Sequence, residues 1–170
     1  TNSSNNYGPN QYPEKLIPLT IYKALNGEKI PIYGDGRQIR DWIHVDDHCK
    51  AVICILKKGQ IGETYNIGCF DEKTNLEVVN TICNILDELK PKDNRESYKK
   101  QIIFVKDRPG HDFRYAINSS KLTLKLGWKP KVRFEKGIYK AVKWYLDNLD
   151  WLKNIKESSI SRLKKAKLSV

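Results

Sequence analysis

The segment from Ile39 to Leu56 constrains the fold most, because its hydrophobic period changes part-way along. Through Trp42 to Val45 the pattern is that of a strand. Apolar residues then follow at positions 49, 52, 53 and 56, which is the spacing of one helix face. We therefore predict a strand that passes directly into a helix capped by Asp46 or Asp47.

Strand-like and helix-like segments alternate along the rest of the chain. A helix is predicted from Pro13 to Gly27, and Pro18 is expected to end or kink its first turn. Thr74 and Glu77 have the pattern of a capping box that opens a second long helix. Strands are predicted in KIPIY, GETYNIG and QIIFV, a short helix from Ser119 or Ser120 to Gly127, and a last helix after WKPKVRF. This alternation predicts an α/β fold.

The composition fits one globular domain or a large piece of one, since 39% of the 170 residues are apolar and 30% are charged. No apolar run approaches the roughly 18 residues that span a bilayer, so no membrane association is expected. Because the chain contains no methionine, we expect a fragment or a processed product. The four cysteines form no CxxC pair, and we expect reduced thiols and a cytoplasmic protein.

The net charge of +11 is typical of a chain with a polyanionic partner. Between Lys153 and Val170, however, six basic residues accompany one acidic residue, so nearly half of the excess lies near the C-terminus. We interpret residues 151–170 as a solvated basic tail. A basic nucleic-acid-binding module is the alternative, and it is disfavoured because aromatic residues are not interleaved with the cations of the tail.

Two clusters of polar residues could bind a ligand. In SNNYGP, we expect Asn5 and Asn6 in a tight loop, and we expect Glu14 and Lys15 at the start of the next helix. Carboxamides both donate and accept hydrogen bonds, which suits a sugar or the edge of a base. In DRPGHDFRY, two arginines and a histidine crowd a proline-glycine turn, and guanidinium groups suit a diphosphate. Arg40 could supply a further cation.

Three other patterns do not predict a site. The run GDGRQI lacks the third glycine of a dinucleotide-binding loop. His44 and His48 enclose two acids, but the period change places one on a strand and the other in a helical turn, so no metal site is expected. Tyr139 and Lys143 have the YxxxK spacing of a dehydrogenase, yet no catalytic serine or threonine strand and no cofactor loop precedes them.

The motifs SNNYGP, EKLIPL, PIYGDGRQIRDWIHVDDH, GETYNIG and DRPGHDFRY follow one another in one order across residues 1–150. On these motifs the chain resembles the C-terminal half of the dTDP-glucose 4,6-dehydratases, which are extended short-chain dehydrogenase/reductases. The pattern GDGxxxRDWxxVxDH marks the wider family of sugar-nucleotide epimerases and dehydratases, whereas the first and last motifs are more specific. The resemblance implies the sugar-nucleotide-binding part, residues 1–150, of a Rossmann-type α/β fold whose N-terminal dinucleotide-binding half is missing.

The activity that the resemblance implies is that of a hydro-lyase. NAD takes hydride from C4 of the glucosyl unit, water leaves across C5 and C6, and the hydride returns to C6. The family's glycine fingerprint, dehydration acids and Tyr-Lys couple would precede Thr1, so no catalytic residue and no turnover are expected from this chain alone. The resemblance also implies a homodimer formed through helices of the missing half.

The resemblance assigns Asn6 to the nicotinamide end of NAD and Asn5 to the sugar nucleotide. It assigns to the base, sugar, ribose and diphosphate the further residues Glu14, Lys15, Leu16, Pro31, Ile32, Tyr33, Arg40, Asn75, Asp107, Arg108, Pro109, Gly110 and His111. The expected ligand is a dTDP-sugar. A UDP-sugar is the alternative, as in UDP-glucose 4,6-dehydratases or in epimerases of the same family.

The resemblance also bears on stability. In the family, the GETYNIG strand and the helix after Val45 pack on the dinucleotide-binding sheet. We therefore expect their apolar faces to be partly bare here, and the isolated chain to be marginally stable.

Overall fold

A computed structural model describes residues 1–155 of the chain. Its helices are α1 (Leu16–Leu25), α2 (Val45–Lys58), α3 (Asn75–Leu89), α4 (Ser120–Leu126) and α5 (Phe134–Asp147), with a 3₁₀ helix at Tyr98–Gln101. Its strands are β1 (Asn2–Ser3), β2 (Asn5–Tyr7), β3 (Ile30–Tyr33), β4 (Ile39–His44), β5 (Asn66–Ile67), β6 (Glu72–Thr74), β7 (Ile102–Val105) and β8 (Arg114–Tyr115). Two strands precede each of the helices α1 to α4, and α5 follows α4 directly, so the strict alternation that the sequence predicts is not found. The fold is α/β, as predicted.

Strand β4 organises the largest sheet. It pairs in parallel with β2 and β8 and antiparallel with β6. Two smaller parallel pairs, β3 with β7 and β1 with β5, complete the described sheets. Since β4 carries the RDW motif, the residues of that motif lie at the centre of the sheet.

Helix α1 begins at Leu16, three residues later than the sequence predicts, and it continues past Pro18 to Leu25. Pro18 is the third helical residue, where a backbone N–H would have no partner within the helix, so proline is tolerated. The helix ends at Leu25, and Gly27 follows with a left-handed φ of +69°. The predicted stop at Gly27 is therefore confirmed.

The N-cap of α2 is His44, and the prediction of Asp46 or Asp47 is wrong. The strand continues as far as His44, whose Nδ1 accepts from the backbone N–H of Asp46 at 3.3 Å. Asp47 lies in the first helical turn and is fully buried. Its Oδ2 accepts from the backbone N–H groups of Lys131 and Val132, both at 2.7 Å, and so joins α2 to the segment before α5.

The capping box of α3 is confirmed. Thr74 Oγ1 accepts from the backbone N–H of Glu77 at 3.1 Å, and Glu77 Oε2 accepts from that of Thr74 at 2.7 Å. Ser119 stands at the N-cap of α4, but its hydroxyl donates to the Gly68 carbonyl at 2.9 Å instead of capping the helix. Gly127 ends α4 as predicted, with a φ of +73°.

The four cysteines are free thiols. Cys69 lies in the loop after β5, where its thiol donates to the Trp42 carbonyl at 2.7 Å and burial raises its pKa. The buried carboxylate of Asp41 accepts from the backbone N–H groups of Cys69 and Asp71, at 3.2 and 2.9 Å. These bonds fix the loop against β4.

The main core lies where α1, α3 and α5 pack together and against β3 and β4. Its fully buried members include Ile17, Ile21, Val79, Ile82, Leu86, Ile138 and Val142. Within each helix these residues lie three or four positions apart, which is the spacing of one helix face. A second, smaller cluster between α2, α4 and β5 contains Ile43, Ala51, Tyr65, Ile67, Leu122 and Trp128.

The expectation of bare apolar faces is wrong for the GETYNIG strand, because Tyr65 and Ile67 are buried in the second cluster against α2 and α4. The apolar face of α2 is largely uncovered, as expected. Ile53 is 51% exposed and Leu56 is 81% exposed, and Ile61 in the following turn is 99% exposed. Among residues 1–155, no helix is both long enough and apolar enough to span a membrane.

The end of the described chain differs from the predicted tail. Residues 149–155 are helical, Leu152 is buried in the main core, and the ring of Trp151 lies 5.3 Å from that of Trp144. The periodicity did not identify this turn because it is too short to show a repeating pattern. Residues 156–170, the rest of the predicted tail, lie outside the described residues.

Candidate functional site

A cleft of about 410 Å³ opens between the loop after β2, the start of α1, the end of β3 and the 107–111 turn. It brings together most of the residues that the resemblance assigns to the sugar nucleotide. Those that line the cleft are Asn5, Glu14, Lys15, Leu16, Pro31, Ile32, Tyr33, Arg40, Asn75, Arg108 and His111.

Four assigned residues do not line this cleft: Asn6, Asp107, Pro109 and Gly110. Asp107 contacts the lining residue His111, with its Oδ1 2.7 Å from His111 Nδ1. Pro109 and Gly110 are exposed in the turn, where Gly110 adopts a φ of +67°. Asn6 faces away from the cleft because successive residues of a strand point to opposite faces.

The predicted loop at Asn5 and Asn6 is wrong, because pairing with the distant strand β4 makes these residues part of strand β2. The register of β2 against β4 places Asn5 in the cleft. Asn5 pairs with Trp42 and Asn6 with Ile43. Paired residues point to the same face of a sheet, so Asn5 and Trp42 line the cleft together. Asn6 donates from Nδ2 to the Ser4 carbonyl at 3.2 Å, and its Oδ1 is buried without a partner among the described residues.

Helix α5 holds the loop between β2 and α1. The fully buried Tyr145 hydroxyl accepts from the backbone N–H of Gln11 at 3.0 Å and lies 3.1 Å from the Gly8 carbonyl, to which it donates. Burial raises the pKa of Tyr145 to about 12, so the hydroxyl keeps its proton as a donor. The side chain of Gln11 donates to the Asn6 carbonyl at 2.8 Å.

Arg40 is the buried cation of the cleft. It is 8% exposed, and its guanidinium donates to the carbonyl oxygens of Ile39 (2.6 Å) and Asp112 (2.9 Å). It forms no salt bridge with any carboxylate of residues 1–155. Burial lowers the pKa of Arg40, and the charge of Arg108 lowers it further, while Asp112 opposes the shift. A guanidinium keeps its proton in proteins, so this side of the cleft carries an unpaired positive charge.

Another part of the lining is mainly apolar. Pro31, Ile32 and Tyr33 form the end of β3, and the Tyr33 ring is 48% exposed at the rim. A flat ring and a proline beside a charged wall offer contact area for a planar base.

Three lining residues were not predicted: Gln11, Leu19 and Trp42. Leu19 lies one turn after Leu16 on α1, so helical spacing could have identified it. Trp42 could have been identified only from its pairing with Asn5, which a sequence does not show. No signal in the sequence marks Gln11.

The two histidines and the Tyr139–Lys143 pair, which do not predict a site, lie outside the cleft. His44 ends β4 and His48 lies in α2, and no group of three or more potential metal ligands occurs among residues 1–155. Tyr139 and Lys143 lie on the outer face of α5, where the Tyr139 hydroxyl lies 3.5 Å from Glu88 Oε1.

Comparison with known proteins identifies the family. The family model for GDP-mannose 4,6 dehydratase matches residues 1–141. The chain belongs to this family. A dTDP-glucose 4,6-dehydratase of Shigella flexneri is 55% identical to the chain over 159 residues, which are 94% of the chain and 44% of that relative.

Solved structures of the family show the same fold. The dTDP-glucose 4,6-dehydratase of Bacillus anthracis, determined in complex with NAD, matches 90% of the chain with a TM-score of 0.79 at 50% identity. The dTDP-glucose 4,6-dehydratase DesIV of Streptomyces venezuelae, also with NAD bound, matches 90% with a TM-score of 0.81 at 38% identity. The chain covers 46% and 45% of these two structures. The prediction of part of a Rossmann-type extended short-chain dehydrogenase fold is confirmed.

Proposed function

We propose that residues 1–150 are the substrate-binding part of an NAD-dependent dehydratase that converts dTDP-glucose to dTDP-4-keto-6-deoxyglucose. The observation that carries this proposal is the unpaired, buried guanidinium of Arg40 beside Arg108. A buried charge without a partner costs free energy, which an anionic ligand would offset. The identity of 55% to a dTDP-glucose 4,6-dehydratase supports the choice of sugar nucleotide.

The diphosphate would lie between Arg40 and Arg108, with Lys15 across the cleft. Two guanidinium groups can each donate twice to phosphate oxygens, which gives the orientation that a single lysine does not. The base would lie against Pro31, Ile32 and Tyr33. The carboxamides of Asn5 and Asn75 would donate to and accept from ligand hydroxyl groups.

The chain also has one residue suited to NAD. The Asn6 Oδ1 atom is buried without a partner among the described residues, and as an acceptor it fits the carboxamide of nicotinamide. When bound, NAD supplies the hydride acceptor of the dehydration. In this proposal the catalytic side chains belong to the rest of a longer protein, which forms a homodimer in the cytoplasm.

Calorimetric titration of the full-length protein with dTDP and with UDP tests the proposal. We expect saturable binding of dTDP, weaker binding of UDP, and a loss of at least about tenfold in dTDP affinity in Arg40→Ala. Arg40→Lys should recover part of the loss, because it restores the charge without the planar fork.

The matched control is Arg37→Ala. Arg37 lies three residues away, is exposed and pairs with Asp35 at 2.5 Å. It should leave the affinity for dTDP unchanged. Equal losses in the two alanine variants, or no binding of either nucleotide by the wild-type protein, would refute the proposal. Preference for UDP would support the UDP-sugar alternative, and binding to DNA that falls steeply with salt would support the nucleic-acid alternative.

A further inference from the structure

Gln38 immediately precedes β4, and its side chain links the start of this strand to the 107–111 turn, although Gln38 does not line the cleft. Gln38 is 5% exposed, and its Nε2 donates to Asp107 Oδ2 at 2.8 Å. Its backbone carbonyl accepts from the N–H of Asn75 at 3.0 Å. Gln38 therefore contacts two segments that contribute residues to the cleft.

Asp107 in turn contacts His111. The Oδ1 atom of Asp107 lies 2.7 Å from His111 Nδ1 and also accepts from the backbone N–H of Arg108 at 2.8 Å. An ionised carboxylate only accepts hydrogen bonds, so Nδ1 of His111 must carry a proton. In the neutral ring, Nε2 then remains an acceptor for a ligand hydroxyl.

The backbone leaves room for this arrangement at Gly34. A Cβ atom on Gly34 would lie 3.0 Å from Asp107 Oδ2 and 3.1 Å from Gln38 Nε2. The φ of Gly34 is +60°, which also disfavours a larger residue. The lack of a side chain at Gly34 therefore leaves space for the contact between Gln38 and Asp107.

We propose that Gln38 is a positioning residue of the nucleotide site. It holds Asp107, and through Asp107 it holds the His111 imidazole with its proton on Nδ1 and with Nε2 available to the ligand. This inference rests on the proposed function. Without the Gln38 side chain, Asp107 loses the hydrogen bond that joins it to the start of β4. Part of the free energy of ligand binding is then spent on ordering the turn, so the affinity falls.

The test combines two measurements on the full-length protein with Gln38→Met, which keeps the side-chain length and removes the donor. Nitrogen NMR of the neutral imidazole reports which ring nitrogen of His111 is protonated. Calorimetry reports the affinity for dTDP. We expect the proton to redistribute toward Nε2 and the affinity to fall about tenfold.

The chain offers a matched control in Gln101→Met. Gln101 is also buried, and its Nε2 donates to carbonyl oxygens of Lys23, Ala24 and Glu28, away from the cleft. This variant should lose stability but keep the His111 tautomer and the dTDP affinity of the wild type. The contrast separates positioning from a general loss of packing.

A second variant, Asp107→Asn in the exposed turn, keeps the test decisive if Gln38→Met does not fold. It should shift the His111 proton in the same way, and where both single variants fold, their effects on affinity should not add. An unchanged tautomer in Gln38→Met, or an equal loss of affinity in Gln101→Met, would overturn the inference. Failure of the wild-type protein to bind dTDP would instead refute the proposed function, and the tautomer would still decide the role of Gln38.

Discussion

Gly137 on helix α5 lies against the phenol of Tyr7, and the space that a side chain would fill at Gly137 is taken by the Tyr7 hydroxyl. A Cβ atom on Gly137 would overlap that oxygen and lie 2.9 Å from Cζ of the ring. Tyr7 is 1% exposed, and its hydroxyl has no partner among the described residues. This contact sets how closely α5 approaches the strand that carries Asn5.

Gly137→Ala should therefore destabilise the protein, although alanine favours helices. The overlap is with a ring held in the core, so we expect a loss of about 1–3 kcal/mol in the free energy of unfolding, measured by urea denaturation. Adding Tyr7→Phe should recover part of the loss, because it removes the oxygen. Lys136→Ala, one residue earlier and exposed, is the control and should change stability by less than about 0.5 kcal/mol. Equal stability of Gly137→Ala and wild type would contradict the prediction.

Asp47 should act as a structural carboxylate. Asp47→Ala leaves the backbone N–H groups of Lys131 and Val132 without their acceptor, and we expect a loss of about 3 kcal/mol in the free energy of unfolding. The neighbouring Asp46 is exposed, so Asp46→Ala should cost less than about 1 kcal/mol. Similar losses in the two variants would show that the buried hydrogen bonds of Asp47 contribute nothing to the free energy of unfolding.

His44 should make stability fall in weak acid. It is 5% exposed, and burial lowers its pKa below the ordinary value of 6.5, although Asp46 and Asp47 oppose this shift and Lys140 and Lys50 add to it. The unfolded chain therefore binds the proton first, so the contribution of His44 is complete above pH 6.5 and is lost progressively below it.

The variant His44→Asn keeps an acceptor at the N-cap and removes the titration. Urea unfolding between pH 7.5 and 5 should show a smaller decrease in stability for this variant than for the wild type. Because burial also lowers the pKa of His48, some decrease should remain. The same slope in both proteins would exclude His44 as its source.

The bare face of α2 should make this chain marginally stable by itself. We expect a lower urea midpoint for the 170 residues than for a longer protein that also carries the upstream sequence. Leu56→Gln should have little effect in the short chain, where Leu56 is 81% exposed, and should destabilise the longer one. Equal midpoints, together with a neutral Leu56→Gln in both proteins, would show that nothing covers this face.

Local signals predicted local structure well. The capping box of Thr74 and Glu77, the stops at Gly27 and Gly127 and the faces of α1, α3 and α5 all depend on residues within a few positions of one another. Pro18 and the N-cap of α2 were misjudged because each depends on where the neighbouring element begins or ends. A shift of two or three residues changes the position that a side chain occupies in a helix.

The remaining features depend on contacts between distant segments. Asp47 was read as a cap, but its partners lie more than 80 residues further along the chain. The pairing of Asn5 with Trp42, which forms one wall of the cleft, has no counterpart in the local pattern. For the cleft, the motifs shared with the family supplied what periodicity could not, and they still missed Gln38, because it acts through Asp107.

The cleft takes its walls from segments as far apart in sequence as Asn5 and His111. No single helix, strand or loop contains more than a few of its lining residues, so the site is complete only when these segments have packed together. A ligand of this cleft would bind the native state alone and would shift the folding equilibrium by mass action, by about 2.7 kcal/mol at a concentration one hundred times its dissociation constant. A nucleotide that binds in this cleft would then raise the abundance of the folded protein.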